Sequence, residues 1–532
     1  MVRREIALFT FGNTRIIMED IYMADISKTY SILIPGVGCE IREPYDLYSL
    51  RQDIIKAGCF DDTEVTILIP AHNRPTKLRA CIESILEYTD DVSYRILVAD
   101  ASDDVETRSY LASLVSDKIR LLRIEGTQSS AYKLIASCSF IHTPYLAIVA
   151  ADVVVTKDWL SNLLRCVKSS PDIGWACPMS TNVSNKQQVD FSIHNHEDLL
   201  AHAETFNRSD PRKWEERLRL INIVTLCPTE LICVAGFGDP GFRHDFGEDD
   251  MARRIRAAGY RLMLCGDVFV HHDHDFRNLE DKNAETYEKG LRIGREQYKQ
   301  KHHGLDAWDD VLNFEPELLS LFRPASSSAA IPPKLLGVDC RMGTPLLELK
   351  NAYRKADVFN CACYAFTTEA KYFFDLQTIC DAHTACDRSE YICEHFSASF
   401  FDAILLGEPL NAYTDPLLLL SRLFSLLKPG GQLLFKLKNT QSALSLCQII
   451  GTEANPTDEI AFVDLSIDAV SSAVGQLGAK DLCLSKSKYN ADDAFQTNMR
   501  NLLNVFLKNN SDKVKEQFER MMTSAYCICV TK

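Results

Sequence analysis

Long apolar runs are missing from this chain: no stretch of its 532 residues approaches the roughly 18 apolar residues that a membrane-spanning helix needs. The run after Met1-Val2-Arg3-Arg4-Glu5 is short and is broken at Gly12 and Asn13, which makes a poor signal peptide. Basic excess is missing too. The 58 Lys and Arg stand against 73 Asp and Glu, a net charge of -15. That argues against a broad nucleic-acid surface, while leaving room for a local basic pocket that holds a diphosphate. Paired CxxC motifs at zinc spacing are absent, although the chain has 19 cysteines. Cys361 with Cys363, and Cys527 with Cys529, alternate within apolar runs. Alternate residues of a strand share a face, so both pairs read as core thiols. These features together lead to the expectation of a cytoplasmic protein with no membrane span and no nucleic-acid partner.

Strand–helix alternation is what the sequence has instead, and it has it twice. The length exceeds a single ordinary core. Residues 1–62 form an N-terminal extension of unassigned role, strand-like at 6–11 and 31–35 and helical at 47–56. Residues 63–305 make a first α/β domain and residues 335–532 a second. The intervening 306–334, ending in the Pro-, Ser- and Ala-rich RPASSSAAIPPK, reads as a linker.

In the first domain Val65-Thr66-Ile67-Leu68-Ile69 is a near-continuous apolar run, as a buried parallel strand should be. Leu78, Ile82, Ile85 and Leu86 follow at helical spacing. Further strands are expected at 94–99, ending in Asp100, at 119–124, and at 145–151, ending in Asp152. Such a βαβαβ order gives parallel pairing with right-handed crossovers. Ligands of such sheets bind beyond the carboxyl ends of the strands, where Asp100 and Asp152 both fall. Aspartates also end strands simply as turn formers, so the pair alone decides nothing.

The order of several motifs is more specific. Pro70-Ala71-His72-Asn73-Arg74 follows the first strand and Ala99-Asp100-Ala101-Ser102-Asp103 the second. Ala150-Ala151-Asp152-Val153 comes next, then Gly247-Glu248-Asp249-Asp250 opening a helix, then Val268-Phe269-Val270-His271-His272. This set resembles the family 2 glycosyltransferases of the GT-A fold over about residues 63–275. The resemblance implies a mixed-sheet, Rossmann-like domain that uses a nucleotide-diphosphate sugar and inverts the anomeric centre. By that resemblance Asp152 binds Mn2+ or Mg2+ with His272, chosen among His271, His272 and His274. Asp100 accepts from the nucleobase, while Pro70, Ala71, Arg74 and Ala151 line the nucleotide cleft. Asp249, with Glu248 second, is the base for the acceptor hydroxyl. Those two acids also suit a helix N-terminus on electrostatic grounds alone. Lys133 is a candidate phosphate contact. Residues 184–225 are expected on the acceptor side, and the acceptor is a growing glycan, as in polysaccharide biosynthesis, or a protein hydroxyl. Sugar nucleotidyltransferases share a similar sheet, but the glycine-rich loop they carry after the first strand is missing here.

Residues 335–532 look like a class I S-adenosylmethionine-dependent methyltransferase domain. The resemblance rests on Phe401-Asp402-Ala403-Ile404-Leu405-Leu406-Gly407-Glu408, a helix at 416–427 and the turn Lys428-Pro429-Gly430-Gly431, with a last strand at 525–530 after one long helix from about Phe495. The loop Val338-Asp339-Cys340-Arg341-Met342-Gly343 keeps only Gly343 of the family's glycines. Asn360-Cys361-Ala362-Cys363 stands where the family's ribose-binding acid is expected. S-adenosylmethionine is therefore not expected to bind. The alternatives are a bifunctional glycosyltransferase and methyltransferase, and a non-catalytic scaffold in a surface-glycan assembly complex.

Overall fold

The computed structural model describes residues 30–33, 63–124, 133–134, 137, 140–236, 238–239, 241–242, 245–274, 277–325, 331–380, 382–443, 445 and 462–532, with residues 30–33 and 277–287 described as backbone only. The expected elements at 6–11 and 47–56 lie outside the described residues.

The first domain is one mixed sheet of ten strands. In chain order they are β1 (Tyr30–Leu33), β2 (Val65–Ala71), β3 (Tyr94–Asp100), β4 (Ile119–Ile124), β5 (Tyr145–Val149), β6 (Val153–Val154), β7 (Ile173–Ser180), β8 (Trp214–Arg217), β9 (Val224–Pro228) and β10 (Arg261–His272). Their order across the sheet is β1-β4-β3-β2-β5-β9-β7-β10-β6, with β8 also on β10. Strands β2 to β5 pair in parallel, as the βαβαβ order requires. The antiparallel partners are β1 on β4, β9 on both β5 and β7, and β6 and β8 on β10. The helix Pro75–Tyr88 buries Leu78, Cys81, Ile82 and Ile85 on this sheet, which is the apolar stripe its 3.6-residue spacing demands. Val65, Ile67, Leu68 and Ile69 are all fully buried, because a central parallel strand is covered on both faces.

The expected strand 145–151 is shorter in the structure. It stops at Val149: the Ala150 amide still makes an in-register bond to the Ile223 carbonyl beside β9, but the Ala150 carbonyl accepts from the Val153 amide and so closes a turn. Asp152 therefore sits in a tight turn between β5 and β6 rather than on the strand end.

The second domain is a Rossmann-like sheet of seven strands: β11 (Lys334–Val338), β12 (Ala362–Thr367), β13 (His383–Cys386), β14 (Phe401–Leu406), β15 (Leu427–Lys438), β16 (Asp481–Lys488) and β17 (Thr523–Thr531). The order is β13-β12-β11-β14-β15-β17-β16, parallel except at β17. Cys361, Cys363, Cys527 and Cys529 are buried, as their alternation implied. Two expectations change. The long helix before the last strand is two helices, Asp493–Phe506 and Ser511–Met521, broken where Lys508 and Asn509 take left-handed φ values of 52° and 55°. Moreover, Asn360-Cys361-Ala362-Cys363 precedes and opens β12 rather than ending it. The carboxyl end of that strand runs into Thr368 and Glu369, so an acid does stand there.

The stretch read as a linker is largely packed. Ala307, Val311, Leu318 and Phe322 are buried in one apolar cluster with Leu218, Phe246, Tyr298 and Leu305 of the first domain and Leu335, Leu346 and Tyr353 of the second. Burial on this scale, at roughly 25 cal/mol per Å² of apolar surface, makes the two sheets one body with a shared core. Among the described residues no helix is long and apolar enough to cross a membrane.

Candidate functional site

The carboxyl ends of β2, β3, β7 and β10 meet at one edge of the first sheet. The loop after β2 is unusual: Asn73 and Arg74 both take left-handed backbone, at φ 53° and 58°. Such a conformation is uncommon for an arginine and persists only where neighbours over-determine it. Here the neighbours are the loop after β3. The Asn73 amide donates to Ser102 Oγ at 2.7 Å, and its side chain donates to Asp103 at 2.7 Å and accepts from the Asp103 amide at 3.1 Å. The clamp brings the largely exposed Arg74 guanidinium to 3.7 Å from Asp152.

Asp152 owes its other neighbours to the short β6–β10 ladder, in which His272 lies opposite Val153. His272 Nε2 is 3.4 Å from one Asp152 oxygen and His274 Nδ1 3.4 Å from the other. Successive strand residues face opposite ways, so His271 points elsewhere, with Nδ1 2.8 Å from Thr181 Oγ1. The preference for His272 thus picks a histidine that does reach Asp152, and His274 joins it. His272 Nδ1 lies 3.1 Å from the Asn182 carbonyl. A carbonyl only accepts, so Nδ1 carries a proton that fixes the ring, and Nε2, on the Asp152 side, is the nitrogen that would give up its own proton to ligate a cation. One carboxylate and two imidazoles lie with ligand atoms within 4.8 Å of one another, a donor set able to hold a divalent cation. Burial raises the Asp152 carboxyl, but the hydrogen bonds and charges of His272 and His274 outweigh it and hold the group well below the usual carboxylate range. It is an anion at neutral pH.

Asp100 and Lys133 stand differently from expectation. Asp100 is at the end of β3 but fully buried, with its carboxylate engaged by Arg123 and by the Ser102 amide at 2.9 Å. Lys133 is 2 % exposed, and its ammonium donates to the Ala71 carbonyl at 3.1 Å. Burial pushes that amine down to about 8, with Asp100 opposing. Both groups form the floor beneath Ala71 instead of presenting charge to the opening, because a full charge at that depth needs an internal partner. Pro70, Arg74 and Ala151 remain partly or largely exposed at the same edge.

The acidic triplet divides into distinct roles. Asp250 is buried and held by Arg254, Lys301 and His302 at 3.0, 2.7 and 2.9 Å. Asp249 is 3 % exposed, and among the described residues neither of its carboxylate oxygens has a hydrogen bond. Arg219 Nε lies 2.6 Å from it, but not in line for a hydrogen bond, and Arg219 also reaches the partly buried Glu248 at 3.7 Å. Burial pushes Asp249 up to about 7, Arg219 opposing and Glu248 adding to it. Arg219 is the functional residue that sequence reasoning missed. It lies in the stretch 184–225, and nothing in its neighbours marks it. That stretch also ties the two carboxylates together, since Asn185 donates to the Arg219 carbonyl at 2.9 Å and the Ile223 carbonyl accepts from Ala150 at 2.8 Å.

No curated protein matches the chain. Among solved structures, the chain is similar to GalNAc-T7 with UDP, GalNAc and Mn2+, at 14% identity and a TM-score of 0.33 over 40% of this chain and 43% of that one. The match therefore spans less than half of that neighbour. The chain is also similar to a SAM-dependent methyltransferase from Archaeoglobus fulgidus, at 13% identity and a TM-score of 0.25 over 38% of this chain and 86% of that one. Residues 66–229 match the model of glycosyl transferase family 2, so the protein carries a glycosyltransferase domain of that family.

Proposed function

We propose that the first domain moves a sugar from a nucleotide-diphosphate sugar to a hydroxyl of a glycan or protein acceptor, with inversion at the anomeric carbon. The observation that carries this reading is the Asp152–His272–His274 cluster. Two imidazoles beside one carboxylate suit Mn2+ better than the oxygen-seeking Mg2+. When bound there, the ion would neutralise charge building on the departing diphosphate. The chain's own residues divide the remaining work. Arg74, 3.7 Å from Asp152 and open to solvent, is placed to meet diphosphate oxygens. Asp249 is the base: it takes the proton of the acceptor hydroxyl as that oxygen bonds to the anomeric carbon and the diphosphate leaves. Two carboxyls whose surroundings push them in opposite directions, Asp152 down and Asp249 up, are the usual mark of divided acid–base roles. Asp100 and Lys133 support the cleft from below.

A thermal-shift panel of UDP-glucose, UDP-galactose, UDP-N-acetylglucosamine, UDP-N-acetylgalactosamine and GDP-mannose, with and without manganese, tests the reading. At a hundredfold excess over its dissociation constant the true donor adds about 2.7 kcal/mol, or roughly 5 °C and more for domains of this size, and only with the metal. A flat panel would sink it.

The second domain we read as a support that does not take S-adenosylmethionine. Glu369 stands where a ribose contact could form, but the loop after β11 is closed. Arg341, at φ 51°, is fixed by Glu408 at 3.0 Å and by the Asp309 carbonyl at 2.8 Å. Tyr372 donates to Asp310 at 2.6 Å beside it. The residual cavity of about 360 Å³ is walled by Asp309, Glu315, Arg341, Glu408 and Lys436, a charged lining unlike the mostly apolar walls of a cofactor site. Calorimetric titration with millimolar S-adenosylmethionine is expected to give no binding heat, and a saturable isotherm would refute the assignment.

A further inference from the structure

The second domain reaches the helix Gly247–Ala257, which carries Asp249, with the buried carboxylate of Asp375 and the hydroxyl of Thr378. Asp375, in the short helix Phe373–Gln377, is 2 % exposed. Arg253 grips it bidentately, Nε at 3.1 Å and Nη2 at 3.0 Å, and Arg256 Nη2 joins at 3.3 Å. The other arm of Arg256 donates to Thr378 Oγ1 at 2.7 Å. The network continues back toward the start of the helix. Arg253 Nη1 is 3.1 Å from His302 Nδ1. Arginine only donates, so His302 carries its proton on Nε2 and gives it to Asp250 at 2.9 Å. The helix start is pinned as well. Phe246 caps it at φ 71°, is fully buried, and packs on Trp308 with centroids 5.3 Å apart. A Cβ added at Gly294 would lie 2.6 Å from the Phe246 ring, so no larger residue fits there.

Asp249, by contrast, has no hydrogen bond among the described residues, and the Arg219 guanidinium beside it lies out of line for one. Its place is set by the helix beneath it. From this geometry, and resting on the reading of Asp249 as the base, we propose that Asp375 of the methyltransferase-like domain is a positioning residue for glycosyl transfer: it locks the Glu-Asp helix in register through Arg253 and Arg256, so that the base is presented at the correct depth. The fused domain then serves the first domain's chemistry by holding one helix. Bidentate arginine–carboxylate pairs give the directional hold this requires, and a displacement of about 1 Å at a base can cost a hundredfold in rate.

The test uses the full chain and hydrolysis of the panel's nucleotide sugars with manganese, water serving as the acceptor. Asp375→Asn is expected to lower kcat at least about tenfold, with KM for the donor and the manganese-dependent thermal shift unchanged. The acid limb of the pH profile is the decisive readout. Asp249 is faced by Arg219, Glu248, Asp245 and Tyr298, and a loosened helix lets water reach it, so the limb moves to lower pH by about one unit. Arg253→Lys keeps the charge but loses the fork, and is expected to show the same displacement with a smaller drop in kcat. It also serves as the second variant should Asp375→Asn fail to fold. If either folded variant keeps kcat within twofold and the limb in place, or loses kcat with the limb unmoved, Asp375 is only structural and the proposal is overturned. Wild-type protein that hydrolyses no donor removes the base assignment itself, and this proposal with it.

Discussion

The Asp152→Asn protein is expected to lose at least about a thousandfold in manganese-dependent turnover of its nucleotide sugar, while keeping its fold. Asparagine has the shape of aspartate and can still hydrogen-bond His272 and His274, so packing in the β5–β6 turn changes little. What goes is the only negative charge in the donor set. Two neutral imidazoles hold a hard divalent cation poorly, and the diphosphate then faces Arg74 without the ion between them. Metal catalysis of this kind is worth several kcal/mol of transition-state stabilisation, and about 4 kcal/mol is three decades in rate. On this reading donor and metal binding would be mutually dependent, because the protein would supply few ligands and phosphate oxygens would complete the shell. The variant should therefore lose the manganese-dependent thermal shift together with the activity. Retention of both, at manganese below the millimolar range, would remove Asp152 from the site and the metal reading with it.

The sequence revealed the site unevenly, for physical reasons. Asp152 was legible because strand periodicity and the order of motifs both locate it, although the strand stops sooner than its apolar run. That run continues through Ala150 and Ala151, and hydropathy cannot register that the Ala150 carbonyl turns to accept from Val153. His272 was legible by its count from the strand, whereas its partnership with His274 needed the pairing register of β6 on β10. Asp100 and Lys133 were correctly placed near the carboxyl edge but wrongly oriented, since sequence shows where a charge lies along a strand and not which neighbour neutralises it. Arg123 supplies that neutralisation to Asp100 from 23 residues away, and Arg219 does the same for Asp249 from 30 residues away. The second domain shows the same limit. Its alternation announced a Rossmann-like sheet, yet the boundary of β12 was misplaced because Cys361 and Cys363 alternate as well before the strand as within it. The packing of residues 305–322 escaped notice because the stretch holds only the four-residue helix Pro316–Leu319, and its apolar side chains Leu305, Ala307, Val311, Leu318 and Phe322 are buried against two partners at once rather than on one face of a long element.

Asp249→Asn carries the second large effect, and it sets activity and stability against each other. The variant is expected to lose about a hundredfold to ten-thousandfold in kcat/KM, the usual worth of a positioned general base. In the wild type, kcat/KM should rise with pH through about 7, where the buried carboxyl ionises, and the variant should lack that limb. Stability runs the other way. A carboxyl whose folded pKa is raised binds more protons in the native state than in the unfolded chain between pH 4 and 7. Unfolding free energy then falls as pH rises across that window, at most by about 1.4 kcal/mol per unit. Above pH 7 the wild type holds a desolvated anion that no hydrogen bond from the described residues satisfies, with Arg219 as partial compensation. Asparagine removes the anion and leaves Arg219 near Glu248, 3.7 Å away, so the guanidinium is not abandoned. Burial is the largest influence on this carboxyl and Arg219 the smaller opposing one, so relief of desolvation wins. The melting temperature of Asp249→Asn should therefore exceed that of the wild type at pH 8, and the gap should close toward pH 4. A variant that is inactive and less stable at pH 8 would mark Asp249 as half of a structural ion pair with Arg219, and the base would then be Glu248.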